Sequence, residues 1–172
     1  MRPNAIIRPE LPTDRAAIWN VNHLAFGSDA EANLVDALRD GGFLAVSLVA
    51  EIDGSAVGHI LFSRLKISGR AEILESLSLA PMAVLPEFQR QLIGTQLLTQ
   101  GLATCRAMGH KTVLVLGHPE FYTKFGFSAE LARPLESPFG GGEAWMALEL
   151  EPDALKDVVG TVEFSPPFGT FE

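Results

Sequence analysis

Residues 77–109, LSLAPMAVLPEFQRQLIGTQLLTQGLATCRAMG, decide how the chain is read. The apolar run 77–85 has the length of a strand and is closed by Pro86. A short polar turn, 87–91, then leads into a helix-periodic segment that Gly109 ends. In such a strand, loop and helix the first helical N–H groups lack intrahelical partners and lie at the positive end of the helix dipole. An anionic group, most simply a phosphate, can bind there. Its approach depends on the backbone at residues 91–95.

Working outward, residues 44–52 are rich in β-formers, and Asp53-Gly54 is the strongest hairpin signal in the chain, with 57–67 as the return strand. Ser68-Gly69-Arg70 turns into the strand 73–85, so three strands follow in meander order as antiparallel neighbours. After the helix, TVLVL at 112–116 is a short continuous apolar strand that must be buried on both faces. A strand, crossover helix and buried strand imply one parallel pair in an otherwise largely antiparallel sheet.

The first part of the chain predicts a short strand at 5–8, a helix capped by Thr13 or Asp14 and running to Phe26, and a second helix over 30–39 capped by Ser28 or Asp29. Ile18, Val21, Asn22 and Ala25 form one mostly apolar face on the first helix; Leu34, Val35 and Leu38 form one on the second. Beyond TVLVL, Pro119 suits the first position of a short helix over 120–125 that Gly126 stops. Strands are predicted at 144–150 and 160–164, a helical turn at 152–156, and an aromatic tail beyond.

At 172 residues, with 47% apolar and 20% charged residues, the chain has ordinary globular composition and is expected to form one domain, 1–172. A net charge of −8 opposes binding to nucleic acid or an anionic membrane surface, both of which need clustered Lys and Arg. Cys105 is the lone cysteine, so no intrachain disulfide is available, and with no signal-like or membrane-length apolar segment a cytoplasmic location is expected.

The order strand, two helices, antiparallel strands, 77–109, buried strand, short helix and final strand resembles the GNAT superfamily of acyl-CoA N-acyltransferases. Three pieces carry the resemblance: VGHILFSRLKI at 57–67, LAPMAVLPEFQRQLIG at 79–94 and VLGHPEFYTKFGF at 115–127. In this order and spacing they look like the bacterial YhbS-like branch. The resemblance implies an α/β (α+β) fold, a mixed, largely antiparallel sheet flanked by helices and splayed between its fourth and fifth strands.

It also implies acetyl-CoA as cosubstrate. The backbone of Met82, Ala83 and Val84 would run beside the pantetheine arm, and the turn Gln/Arg-x-x-Gly-x-Gly/Ala would take the pyrophosphate on its amides. Residue by residue, Gln89 takes the first position, Arg90 and Gln91 the free ones, Ile93 the fifth and Gly94 the last, with Thr95 following. Leu92 stands where the family has its first glycine. Since Leu92 begins a good helix-forming run, ordinary helical dihedrals are expected there, with coenzyme A binding retained but weakened.

Acetyl transfer to an amine needs a neutral amine, a stabilised carbonyl oxygen and a proton for the leaving thiolate. In the resembled family the proton donor is often the tyrosine of FYxxxGF; Tyr122, the only tyrosine, is that residue here. An ordinary pKa near 10 suits the role. Glu75 and Ser78, on opposite faces of their strand by alternation, leave at most one to reach the acceptor, and no general base is assigned.

His118 reads as a turn residue before Pro119, Cys105 as a small core residue, and the histidines lack metal-ligand spacing, so no metal site is expected. Residues 26–38 and 138–142 occupy the family's acceptor-lining positions. Asp29, Glu31 and Asp36 would suit a cationic amine or are ordinary surface charges. Phe164, Phe168 and Phe171 leave three roles open for the tail: packing on the sheet, covering the acceptor cleft, or a homodimer contact. The expected activity is acetyl-CoA-dependent N-acetylation of a small-molecule or protein amine. The alternatives are a non-catalytic CoA-binding or sensory module with a degenerate pyrophosphate loop, and a dinucleotide-dependent oxidoreductase, disfavoured by the lack of GxGxxG after an early strand.

Overall fold

A computed structural model describes residues 4–170. Strands β2 (Leu44–Ile52), β3 (Ser55–Gly69) and β4 (Ile73–Val84) pair antiparallel in chain order. Asp53 (φ 51°) and Gly54 (φ 81°) both take the left-handed conformation between β2 and β3, as a tight Asp-Gly hairpin requires. Strand β1 (Ile6–Pro9) adds an outer antiparallel edge, where the N–H that Pro9 lacks is not needed by a further neighbour.

Helices α1 (Arg15–Phe26) and α2 (Ala30–Asp40) follow as expected, but the cap of α1 differs. A single 3-10 turn, Pro12–Asp14, precedes it, and the Asp14 carboxylate accepts the Leu11 N–H at 2.6 Å and the Arg8 guanidinium at 2.7 Å instead of capping the helix. Ile18, Val21 and Asn22 face inward, while Ala25 is half-buried.

Helix α3 (Ile93–Ala107) crosses to β5 (Thr112–Leu116), which pairs parallel with β4 at only two positions, Leu77↔Val113 and Ser78↔Leu114. Residues 112–115 are buried; Leu116, expected inside, is 48% exposed because β4 has already diverged from β5 there. Helix α4 (Pro119–Tyr122) continues as a 3-10 turn, Thr123–Phe125, ended by Gly126 at φ 97°. Two short elements not foreseen follow: α5 (Ala129–Ala132) and β6 (Leu135–Glu136). Strand β7 (Trp145–Glu149) pairs antiparallel with β5.

Strand β8 (Gly160–Glu163) returns to the far end of β3, beyond the point where β2 stops, and pairs in parallel with β6. This carries the tail, which ends in the 3-10 turn Pro166–Thr170, back across the sheet. Phe171 lies outside the described residues.

The result is an eight-stranded mixed sheet with a core on each face. On one face α3 packs Leu97, Leu98, Leu102 and Cys105 over Ile60, Phe62, Leu77 and Val113. A Cβ on Gly101 would stand 2.6 Å from the Phe62 ring, so only glycine lets α3 lie this close. On the other face Ile18, Val35 and Leu38 of the helix pair meet Val49, Leu61 and Phe168.

Candidate functional site

The site starts from the divergence of β4 and β5. Past Ser78 and Leu114 no residue of β5 pairs with β4, so the β4 edge over residues 79–84 stands open toward a seam between the strands. A register shift against β3 places Ala80 and Pro81 opposite Leu61 alone, and such a bulge bends its strand. Met82 and Val84 are half-buried along this stretch and Ala83 is buried.

The turn after β4 departs from expectation at Leu92. Leu92 has φ 68° and ψ 11°, left-handed and not helical, and Arg90 is left-handed too at φ 63°. The helix-forming preference of Leu92 is overridden because it is the cap before Ile93, where the chain must change direction into α3. A left-handed Leu costs roughly 1 to 2 kcal/mol. Its side chain is 48% exposed.

Side-chain ties hold the turn: Gln89 Nε2 donates to the Val84 carbonyl at 2.9 Å and Gln91 Nε2 to the Glu87 carbonyl at 3.2 Å. Gln89 is thus committed to its own loop. The first engaged amide of α3 is Gln96 N–H, which donates to Leu92 O at 3.0 Å. Among the described residues the amides of Arg90, Gln91, Leu92, Ile93, Gly94 and Thr95 have no such acceptor, and alternating left-handed residues turn such groups toward one concavity.

Met82, the turn and α4 converge. A Cβ on Gly94 would meet Met82 Cε at 3.7 Å and Phe121 Cζ at 4.0 Å. Phe121 stacks on Tyr122 at 5.1 Å between centroids, and Phe127 meets the Tyr122 ring edge-on at 5.5 Å. Gly117 makes room for this ring: a Cβ there would stand 2.5 Å from Tyr122 Cε2. Tyr122 is buried among the α3-side core residues, its hydroxyl has no hydrogen-bond partner among the described residues, and burial pushes its pKa up to about 12.

Across the seam, on the α1–α2 side, lies a cavity of about 350 Å³. Ser78, Ala80, Leu114 and Leu116 form its floor; Phe139, Trp145, Phe164 and Phe168 form its walls. Phe164 is the hub, with ring centroids 4.8 Å from Phe139 and 5.1 Å from Phe168. Leu79 and Val115 line this cavity and also belong to the core around Tyr122, so the seam joins the two sides. The tail therefore both packs on the sheet and walls this cleft.

Other candidates separate cleanly. Ser78 is buried at the seam and Glu75 is exposed, opposite Lys66 in the ladder. His118 is exposed ahead of α4. Cys105 is fully buried, and burial pushes its thiol up to about 12, so it is an inert core residue. The acidic residues of the helix pair are engaged elsewhere: Asp29 with His23 at 2.8 Å, Asp36 with Arg39 at 2.9 Å, and Glu31 with the Ser28 hydroxyl at 3.2 Å. None lines the cleft.

Sequence reasoning missed two features. Gln96, in the first turn of α3, has a buried Oε1 with no partner among the described residues. His59 is wholly buried: its Nε2 meets Ser47 Oγ at 2.9 Å, its Nδ1 meets Asn22 Nδ2 at 3.2 Å, and Ser47 Oγ donates to Glu10, which also accepts from Arg39 at 2.7 Å. Burial lowers His59 from 6.5 to about 4, so the ring is neutral, with Nε2–H donating to Ser47 and Nδ1 accepting from Asn22. No spacing betrays this group, since its members come from five separate segments. It fastens α1 and α2 to the sheet. Among the described residues no cluster of His, Cys, Asp and Glu could hold a metal, and no helix is long and apolar enough to cross a membrane.

The acetyltransferase (GNAT) domain family matches residues 44–129. The chain is 37% identical over 168 residues to the uncharacterized N-acetyltransferase YhbS of Escherichia coli K12, covering 96% of this chain and 99% of that one. The crystal structure of E. coli YhbS in complex with CoA superposes with a TM-score of 0.91 at 35% identity, over 99% of this chain and 94% of that one. A GNAT family acetyltransferase from Brucella melitensis in complex with acetyl-CoA gives a TM-score of 0.79 at 35% identity, over 96% and 98% of the two chains.

Proposed function

We infer the chemistry from one premise: the chain belongs to the GNAT superfamily of N-acetyltransferases. We propose that acetyl-CoA is the donor, as it is the ligand of the Brucella relative. The pyrophosphate sits on the free amides of residues 90–95, where Arg90 adds a cation. The pantetheine arm adds to the open edge of β4 at Met82, Ala83 and Val84, much as an extended peptide adds to a sheet edge. The thioester then lies in the seam beside Tyr122. The observation that carries this reading is the meeting of unpaired amides, open strand edge and Tyr122 around Met82 and Gly94.

In the reaction the acceptor nitrogen bonds to the acetyl carbon, the carbon–sulfur bond breaks with its electrons going to sulfur, and one hydrogen of the amine ends on the thiol. Tyr122 has a place in the last step. At about 12 its hydroxyl is a weaker acid than a thiol of ordinary pKa near 8.5, so complete transfer from it alone is uphill. Its contribution is a hydrogen bond to sulfur that strengthens as negative charge builds there.

Calorimetric titration with acetyl-CoA tests the reading. The expected result is one site per chain, tightened in Leu92→Gly and weakened when bulk is placed at Gly94. Absence of binding at millimolar acetyl-CoA overturns it.

A further inference from the structure

The cleft across the seam has a chemistry of its own. Its polar side chains are two serines, and the Ser137 hydroxyl is already engaged by the Phe139 N–H at 3.1 Å. The rest is aliphatic or aromatic. Among the described residues no Asp, Glu, His, Lys or Arg lines it. The titratable groups packed nearby open onto other surfaces: Arg64 donates to the Gly42 carbonyl, Glu75 and Lys66 share a separate depression with Glu163, and Arg133, Glu136 and Glu143 line a neighbouring depression that has Ser137 and Trp145 in common with the cleft. On the far side of the seam Tyr122 stands protonated at neutral pH.

An alkylammonium entering this space would shed its water with no anion among the described lining residues to replace it, and no described side chain of that lining could take its proton. An amine already uncharged at neutral pH meets neither obstacle. The cavity of about 350 Å³ suits a body the size of one or two rings, held between Phe139, Phe164 and Trp145.

Resting on the acetyl-CoA reading above, we propose that the acceptor is a weakly basic amine, uncharged at neutral pH, carried on an apolar ring-sized body, with Phe139, Phe164, Phe168 and Trp145 as the specificity-determining residues. The free amine attacks directly; one of its two hydrogens stays on the amide nitrogen and the other leaves to the coenzyme A thiol, so the cleft needs no base of its own.

The test uses the full chain, acetyl-CoA and release of free thiol. Para-ethylaniline and phenethylamine are isomers of equal bulk that differ in basicity. At about pH 7 the proposal expects kcat/KM for para-ethylaniline to exceed that for phenethylamine by about tenfold or more, the gap to close toward about pH 10, and spermidine and glucosamine to trail both. Phe139→Ala, at a partly exposed loop position, should lower kcat/KM for para-ethylaniline about tenfold with acetyl-CoA affinity unchanged.

A preference for spermidine, glucosamine or phenethylamine at neutral pH overturns the proposal while leaving the donor reading intact. Faster turnover with long-chain acyl-CoA and a polar amine also overturns it, because the cleft would then hold the acyl tail. Absence of acetyl-CoA binding by calorimetry overturns the donor reading, and the proposal with it.

Discussion

The two sides of the β4–β5 seam are built in opposite ways. The side facing α3 comes from two short stretches, residues 82–95 and 115–127, so each piece is positioned mainly by its own neighbours. The side facing α1 and α2 is assembled from four distant stretches around Ser78, Leu116, Phe139 and Phe164, which β8 brings together. A contiguous site keeps its parts when remote packing changes. An assembled one changes its specificity with any of them. On the proposed function, one seam thus joins a side for constant chemistry to a side open to variation.

Removing the hydroxyl at Tyr122 tests the constant side most severely. Tyr122→Phe should lower kcat about a hundredfold with acetyl-CoA affinity and the choice of acceptor unchanged. An unchanged kcat removes Tyr122 from the mechanism. Gly117→Ala is the next effect in size: its Cβ meets the Tyr122 ring at 2.5 Å, so the ring must shift. A loss of about 1 to 3 kcal/mol in urea unfolding and a fall of about tenfold in kcat are expected. An unperturbed kcat would show that Tyr122 needs no exact seat.

Acid should separate the two sides. Burial holds His59 near about 4, below its ordinary 6.5. Between these values the unfolded chain binds a proton that the folded chain refuses. The stability contribution is therefore complete above about pH 6.5 and is lost as pH falls toward 4, at up to about 1.4 kcal/mol per pH unit. Because His59 binds α1 through Asn22, hydrogen exchange at about pH 5 should quicken in α1 before α3. Equal acceleration in both helices breaks the comparison. His59→Gln, which can donate to Ser47 and accept from Asn22 without titrating, should flatten the slope.

The smallest effect is expected at Leu92. Glycine removes the left-handed penalty of roughly 1 to 2 kcal/mol but adds chain entropy on unfolding, about 0.5 to 1 kcal/mol, leaving a gain of at most about 1.5 kcal/mol. Coenzyme A affinity should rise a few-fold in the same variant. A loss of stability would mean that the exposed Leu92 side chain makes contacts that outweigh its backbone strain.

The same division explains what could be read from residues alone. Asp53-Gly54, TVLVL and the Gly126 stop are local signals, and the elements they predict are present within a few residues. Tyr122 and the turn at 89–95 were singled out as site candidates through local motifs. Leu92 misled because propensity describes a helix interior, whereas its position is a cap whose direction the sheet and α3 impose. The His59 group had no signature, since His59 and Glu10 are far apart in sequence; the aromatic cleft was foreshadowed only in part, by the 138–142 loop and the tail residues Phe164 and Phe168, because Ser78 and Trp145 join them only in the folded sheet. Short β6 and α5 fall below the length at which periodicity speaks.

One glycine reaches furthest. With no side chain at Gly101, α3 rests against the Phe62 ring and has little room to sink or ride up over it. The turn at its start is thereby kept at a constant reach from Tyr122. Under the acetyl-CoA reading proposed above, the fold then acts as a gauge of donor length: a truncated donor would anchor its phosphates and still leave its sulfur short of the tyrosine.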